Sequence, residues 1–215
     1  MTIIVHHLEN SRSQRILWML EELELPYEVK RYARDPRTML APPELRRVHP
    51  LGKSPVIEDR LETGGAGPRV VAETGAIVEY LVDKADGRLG APPRREDALG
   101  YRFWLHYAEG SMMPPLLLKL VLSRIPLLGK RAATRIQPMI DRHLDFVEGA
   151  LADHPWFAGE AFSAADIMMS FPLEAARHRA GLGTSRPNTT AWLERIHARP
   201  AYQRALAAGG PYAYA

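Results

Sequence analysis

The order of elements in the first third of the chain limits the fold more than any other feature. Ile3-Ile4-Val5 is a β-branched run and reads as a strand. Over 13–24, Ile16, Leu17, Leu20 and Leu23 recur at helical spacing, and Pro26 ends the pattern. Tyr27-Glu28-Val29-Lys30-Arg31-Tyr32 then alternates apolar and polar, as a half-buried strand does. A strand, a helix and a strand in this order favour a parallel pair joined by a crossover helix. Residues 55–58 and 69–72 read as two more strands. The connector Gly64-Gly65-Ala66-Gly67-Pro68 makes them a hairpin. A helix follows over 73–84, with Ile77, Val78, Leu81 and Val82 on one side. Pro43 stands at the first position of a short helix over 44–47.

This β-α-β, β-β-α order is a thioredoxin-like arrangement. The stretch from Asp86 to Pro93 combines glycine, proline and charge, as a linker does. Everything beyond it reads as helical. One helix carries Leu99, Phe103 and Tyr107. A long amphipathic one carries Ile136, Ile140, Leu144, Val147 and Leu151, with Pro138 near its start. Another begins near Ser163, and shorter ones follow over 188–198 and 201–208. The expected fold is therefore a thioredoxin-like N-terminal domain over 1–84, a linker over 85–92 and an all-helical C-terminal domain over 93–215. A length of 215 residues accommodates two small domains.

The chain contains no cysteine, so protein disulfides, thiolate nucleophiles and Cys-ligated zinc are excluded. Thiol chemistry here requires a thiol carried by a ligand. The formal net charge is only +3, and the arginines are dispersed. That suits small anionic ligands and gives no expectation of a nucleic-acid partner. No stretch approaches the ~18 uninterrupted apolar residues of a membrane span. The longest apolar patch, over 112–125, is broken by Pro114, Pro115, Lys119, Ser123 and Arg124. No membrane partner is expected. The N-terminus has no basic segment followed by a long apolar one, and a cytoplasmic location is expected. His6, His7, His49 and His106 lack the helical i, i+4 pairing with a carboxylate that marks a zinc motif, so no metal is expected.

Several residues carry the candidate chemistry. A cis Ser54-Pro55 bond at the start of the third strand turns the Ser54 backbone outward, where it can pair with an extended peptide; a trans proline opening a strand is the plain alternative. Glu73-Thr74 begins a helix whose amide-rich end accepts carboxylates; the same pair also serves as an ordinary helix start. In Asn10-Ser11-Arg12-Ser13, a hydroxyl near the first helix can donate to a bound thiolate or simply cap the helix. A free thiol has a pKa near 8.5, and lowering it by two units needs ~2.7 kcal/mol. One hydrogen bond to an ion supplies ~1.5–3 kcal/mol, so one serine assisted by helix-end donors suffices. Ser163 and Asp166 have capping-box spacing, with Phe162 and Ile167 at the staple positions; this is a structural signal. Met112, Met113 and Leu116–Leu118 line either a pliable apolar pocket or plain core.

Taken in order, these motifs resemble the glutathione S-transferase family, and the resemblance spans essentially the whole chain. Leu51-Gly52-Lys53-Ser54-Pro55-Val56 resembles the family's cis-proline turn. Glu73-Thr74 resembles its acidic residue followed by Ser or Thr. Ser163-Ala164-Ala165-Asp166 resembles the capping box of its sixth helix, and Ser11-Arg12-Ser13-Gln14-Arg15 the first-helix start of serine-type, theta-like members. Family members often carry Asn where this chain has His49.

The resemblance implies a cytoplasmic homodimer that uses glutathione as cosubstrate, with no metal, in detoxification. It implies that Ser54 pairs with the cysteinyl backbone, that Glu73 and Thr74 hold the γ-glutamyl group, and that Lys53 approaches the glycyl carboxylate. Ser11 would stabilise the thiolate, with Asn10 as the alternative used by some bacterial and fungal relatives. A small electrophile would sit in a cleft between the halves, near Tyr107, Met112 and Met113. The alternatives are a glutathione-dependent peroxidase or disulfide reductase, and a noncatalytic ligand-binding member.

Overall fold

The computed structural model describes residues 2–60 and 67–215. The expected turn at 64–66 lies outside the described residues. The chain runs β1 (Ile3–Leu8), α1 (Ser13–Glu22), β2 (Tyr27–Tyr32), α2 (Leu45–Val48), β3 (Val56–Asp59), β4 (Arg69–Ala72) and α3 (Thr74–Lys84). It continues through α4 (Arg95–Tyr107), a π-helical segment (Ala108–Met112), α5 (Met113–Ser123), α6 (Gly129–Thr134), α7 (Gln137–Asp153), α8 (Ala164–Arg179), α9 (Pro187–His197) and α10 (Pro200–Gly209). Two compact units form. One comprises 1–89 with 198–213, the other 90–197.

The first unit is built on a mixed four-stranded sheet in the order β2-β1-β3-β4. β1 pairs in parallel with β2, in register Ile3 with Tyr27. β1 and β3 are antiparallel, as are β3 and β4. This is the thioredoxin-like arrangement expected from the sequence. α1 crosses between the parallel strands and is buried on every side: Ile16, Leu17, Trp18, Met19 and Leu20 have no exposed surface. A helix apolar around its whole circumference needs cover beyond the sheet. α3 and α10 both pack on it. The Trp18 and Tyr202 rings meet edge to face at 5.2 Å. Arg199 Nε donates to Glu22 at 2.6 Å, and Arg204 Nε to Glu21 at 2.6 Å. The sequence reading placed 201–208 in the helical domain; this helix instead completes the first unit. α3 is tied to β3 through Asp59, which accepts from the Tyr80 hydroxyl at 2.6 Å and pairs with Lys84 at 2.7 Å.

The second unit is helical among the described residues. Its centre is α8, where Ala164 through Ala176 are all buried. Ser163 and Asp166 form the expected capping box: the Ser163 hydroxyl accepts from Ala165 N–H, and Asp166 accepts from Ser163 N–H at 3.0 Å. Asp166 does more than cap. It also accepts from Phe157 N–H at 3.1 Å and from the Trp192 indole at 3.2 Å, so one carboxylate joins α8, the preceding turn and α9. At the start of α9, Glu148 accepts from the Asn188 and Thr189 amides, each at 2.8 Å. The face of α4 differs from the expected stripe. Leu99 is 67% exposed and Phe103 45%, while Tyr101, Trp104, Leu105 and Tyr107 are buried. The broken apolar patch after residue 112 becomes α5, with its two prolines in the first turn, directly after the π-helical segment.

Candidate functional site

The candidate residues of the first unit gather at one end of the sheet, and the register shows why. The β1–β3 ladder ends at His6 with Val56, and the β3–β4 ladder ends at Val56 with Ala72. The Ser54–Pro55 turn enters β3 at this end, and the β4–α3 junction with Glu73 and Thr74 leaves from the same end, directly after Ala72. The β1–α1 turn with Asn10 and Ser11 leaves from the same end, directly after Leu8.

The Ser54–Pro55 bond is cis, as the sequence suggested. The Ser54 hydroxyl donates to the His6 carbonyl at 2.8 Å and accepts from Leu8 N–H at 3.3 Å, which staples the turn to β1. The Ser54 backbone lies outside both ladders, so its N–H and C=O are not used in strand pairing. Lys53, next to it, is exposed. Glu73 is the residue between β4 and α3. It has φ +73°, a left-handed backbone that is strained for a side chain of this size. It is exposed and does not cap α3 with its side chain. Thr74 opens the helix and is buried. Thus an exposed carboxylate, a hydroxyl and the amide-rich start of an 11-residue helix follow directly on β4, at the end of the sheet where the Ser54 turn enters β3.

The β1–α1 turn holds a chain of hydroxyls ending in an imidazole. Ser11 Oγ lies 2.8 Å from Ser13 Oγ and accepts from Ser13 N–H at 3.2 Å. Ser13 Oγ lies 2.9 Å from His7 Nδ1 and accepts from Leu8 N–H at 3.2 Å. All three side chains are buried. Burial, with the Arg31 charge second, pushes the His7 imidazole down to about 4. His7 is therefore neutral at pH 7 and carries one ring proton, whose position sets the direction of the chain. With the proton on Nδ1, His7 donates to Ser13, whose own proton goes to Ser11 or to the Leu8 carbonyl at 3.3 Å; in the first case the Ser11 proton is left to point outward. With the proton on Nε2, the chain runs inward and consumes it. Asn10 has φ +49°, its carboxamide oxygen accepts from Ala213 N–H at 2.7 Å, and its carbonyl accepts from Arg34. Its side chain is thus turned toward the C-terminal segment.

In the sequence His6 and His7 stand out only as histidines outside any zinc motif. Both are buried. His6 bonds the Tyr32 hydroxyl at 2.8 Å and Glu58 at 2.9 Å. Nothing local distinguishes His7 from its neighbour; the signal is its distance in the fold, not in the chain, from Ser13. The residues expected around the second substrate lie in the second unit. Met112 and Met113 are buried in its core. Tyr107 OH lies 2.5 Å from His143 Nδ1. Tyr107 also lines a groove of about 410 Å³ with Phe103, Met139, Arg142, His143 and Phe146.

Family comparison agrees with this architecture. The glutathione S-transferase N-terminal domain matches residues 11–84, and the glutathione S-transferase C-terminal domain matches residues 118–200. Glutathione S-transferase 3 of Schizosaccharomyces pombe is 36% identical over 93% of this chain and 84% of its own length. Glutathione S-transferase 1 of Saccharomyces cerevisiae is 35% identical over 93% and 92%. The disulfide-bond oxidoreductase YfcG of Escherichia coli is 31% identical over 89% and 88%. Among solved structures, a glutathione S-transferase from Actinobacillus pleuropneumoniae superposes with a TM-score of 0.84 at 34% identity, covering 99% of this chain and 95% of that one. A glutathione transferase family member from Pseudomonas fluorescens, with two glutathione molecules bound, gives 0.80 at 27% identity, covering 95% and 92%. The chain belongs to the glutathione S-transferase family and is a glutathione transferase.

Proposed function

We propose that this enzyme seats glutathione at the Ser54 end of its sheet, lowers the pKa of the bound thiol and directs the thiolate at a small, apolar electrophile. The observation that supports this reading is that the Ser54–Pro55 turn, the β4–α3 junction and the β1–α1 turn with Ser11 all adjoin the same end of the sheet. The Ser54 backbone pairs with the cysteinyl part of the tripeptide, like one more strand edge. Thr74 and the α3 amides take the γ-glutamyl carboxylate, and the Glu73 carboxylate takes its ammonium. Lys53 takes the glycyl carboxylate. Ser11 donates to the thiolate; Asn10, whose carboxamide oxygen accepts from Ala213 N–H, is the alternative donor through its N–H₂. The same reading includes a cytoplasmic homodimer acting in detoxification. The test is titration of bound glutathione by thiolate absorbance. Ser11→Ala raises the thiol pKa by one to two units, the equivalent of about 1.5–3 kcal/mol, and leaves binding largely intact. An unchanged pKa removes Ser11 from the role.

A second reading is supported by the similarity to a disulfide-bond oxidoreductase together with the absence of cysteine. In it, bound glutathione reduces a small disulfide or a hydroperoxide without a protein thiol. Turnover of an aromatic electrophile, a small disulfide and a hydroperoxide, compared on the same preparation, separates the two.

A further inference from the structure

The α5–α6 hairpin presents an apolar surface that the fold leaves uncovered. Leu117, Leu118 and Val121 form a stripe at helical spacing along α5, Ile125 follows just past its end, and each is exposed. At the tip, Leu127 is fully exposed and Leu128 is 72% exposed. Leu127 also has φ +64°, a left-handed backbone that a leucine adopts only under strain. The tip is held firmly. A Cβ on Gly129 would lie 2.1 Å from the Leu122 carbonyl oxygen, so α6 starts in close contact with the end of α5. An exposed apolar patch of this extent marks a surface that meets something.

The charges beside the patch indicate what it meets. Between Glu109 and Asp141 the sequence has no acidic residue. It has Lys119, Arg124, Lys130, Arg131 and Arg135, and all but Lys119 are exposed. Asp141, at the far end of α7's first turn, is already paired with Arg186. An apolar stripe flanked by cations is the pattern of a segment that lies in the interface of an anionic bilayer. A second copy set on the patch with the two-fold axis running through it would oppose cation to cation. We propose that the α5–α6 hairpin is a peripheral docking site for an anionic lipid surface, with Leu127 and Leu128 inserted among the acyl chains and the flanking arginines and lysines on the headgroups. This goes beyond the expectation of no membrane partner. It is distinct from spanning, since no helix among the described residues is long and apolar enough to cross a bilayer. It is independent of how the thiolate is held.

The test is co-sedimentation of the full chain with vesicles of phosphatidylcholine alone or mixed with phosphatidylglycerol, at low and high salt. The chain partitions into the anionic vesicles at least about tenfold better than into the neutral ones, and high salt abolishes the difference. Leu127→Ser with Leu128→Ser lowers that partition about tenfold or more. It leaves the melting temperature unchanged, because both side chains are exposed. The absence of cysteine allows a single Leu127→Cys label, whose emission shifts to the blue on the anionic vesicles. No partition at low salt, or partition indifferent to the double substitution, overturns the proposal. So does a larger species in light scattering that the double substitution splits, which would assign the patch to a subunit interface.

Discussion

Ser13 Oγ stands 2.9 Å from His7 Nδ1, and this contact governs whether Ser11 has a proton to offer. Asparagine at position 7 carries an amide donor near the place of Nδ1, whereas glutamine reaches only toward Nε2. His7→Asn is therefore expected to keep the pKa of bound glutathione close to that of the wild type. His7→Gln is expected to raise it by roughly one unit, part of the ~1.5–3 kcal/mol that a hydrogen bond to an anion supplies. Thiolate absorbance against pH reads both. If Ser11→Ala moves the thiol pKa and His7→Gln does not, the imidazole has no part in orienting the chain.

The same imidazole makes stability depend on pH. Its folded-state pKa of about 4 lies below the ordinary 6.5, so between these values the unfolded chain binds more protons than the folded one. Stability from this group is complete above about 6.5 and is lost as pH falls through that window. The loss amounts to roughly 3 kcal/mol at pH 4. The difference in unfolding free energy between wild type and His7→Asn, measured by denaturant titration at pH 7 and at pH 4, is expected to shrink by that order. A pH-independent difference would show that His7 titrates normally in the folded chain.

Glu73 separates function from stability, because its backbone is strained and its side chain is exposed. Glu73→Gly relieves the left-handed conformation and is expected to be about 1 kcal/mol more stable than Glu73→Ala, which keeps the strain. Both lose the carboxylate, and both are expected to bind glutathione about tenfold or more weakly. Thermal melting and calorimetric titration read the two effects separately. Undiminished binding by either variant would remove Glu73 from the γ-glutamyl seat.

Much of this was legible in the sequence because it is local. Strand alternation, the Pro26 stop and the Ser163-to-Asp166 spacing are decided within a few residues by backbone sterics and capping. The Ser54 turn and Glu73-Thr74 were legible as a pair only through their order around the strands. What escaped is nonlocal. Glu21 and Glu22 meet Arg204 and Arg199 across most of the chain, and no short window records that pairing. Leu99 and Phe103 fall on one helical stripe with Tyr107, yet the buried face of α4 is set by α8 packing on it, which selects Tyr101, Trp104 and Leu105 instead. His7 differs from His6 only in facing the α1 turn.

Asp166 is where the second unit is most sensitive to a single change. Burial pushes its carboxyl up to about 6, against the pull of the donors from Phe157, Ser163 and Trp192. Asp166→Ala leaves those donors buried without their acceptor, and each such group costs about 1–3 kcal/mol. The expected loss is at least roughly 3 kcal/mol, equivalent to a fall in melting temperature of about 6–12 °C for a chain of this size. Asp166→Asn keeps one carboxamide oxygen as acceptor but turns an N–H₂ toward Ser163 N–H, so it is expected to recover only part of the loss. The distinction from Ser163→Ala is informative. That change removes the hydroxyl that accepts from Ala165 N–H and donates to Asp166 at 3.2 Å but leaves the other donors to Asp166 in place, and it should cost about 1 kcal/mol as an ordinary cap does. Equal costs for Asp166→Ala and Ser163→Ala would mean that Asp166 serves only as a cap. A larger cost for Asp166→Ala, accompanied by a change in Trp192 fluorescence, places it as the joint between α8 and α9.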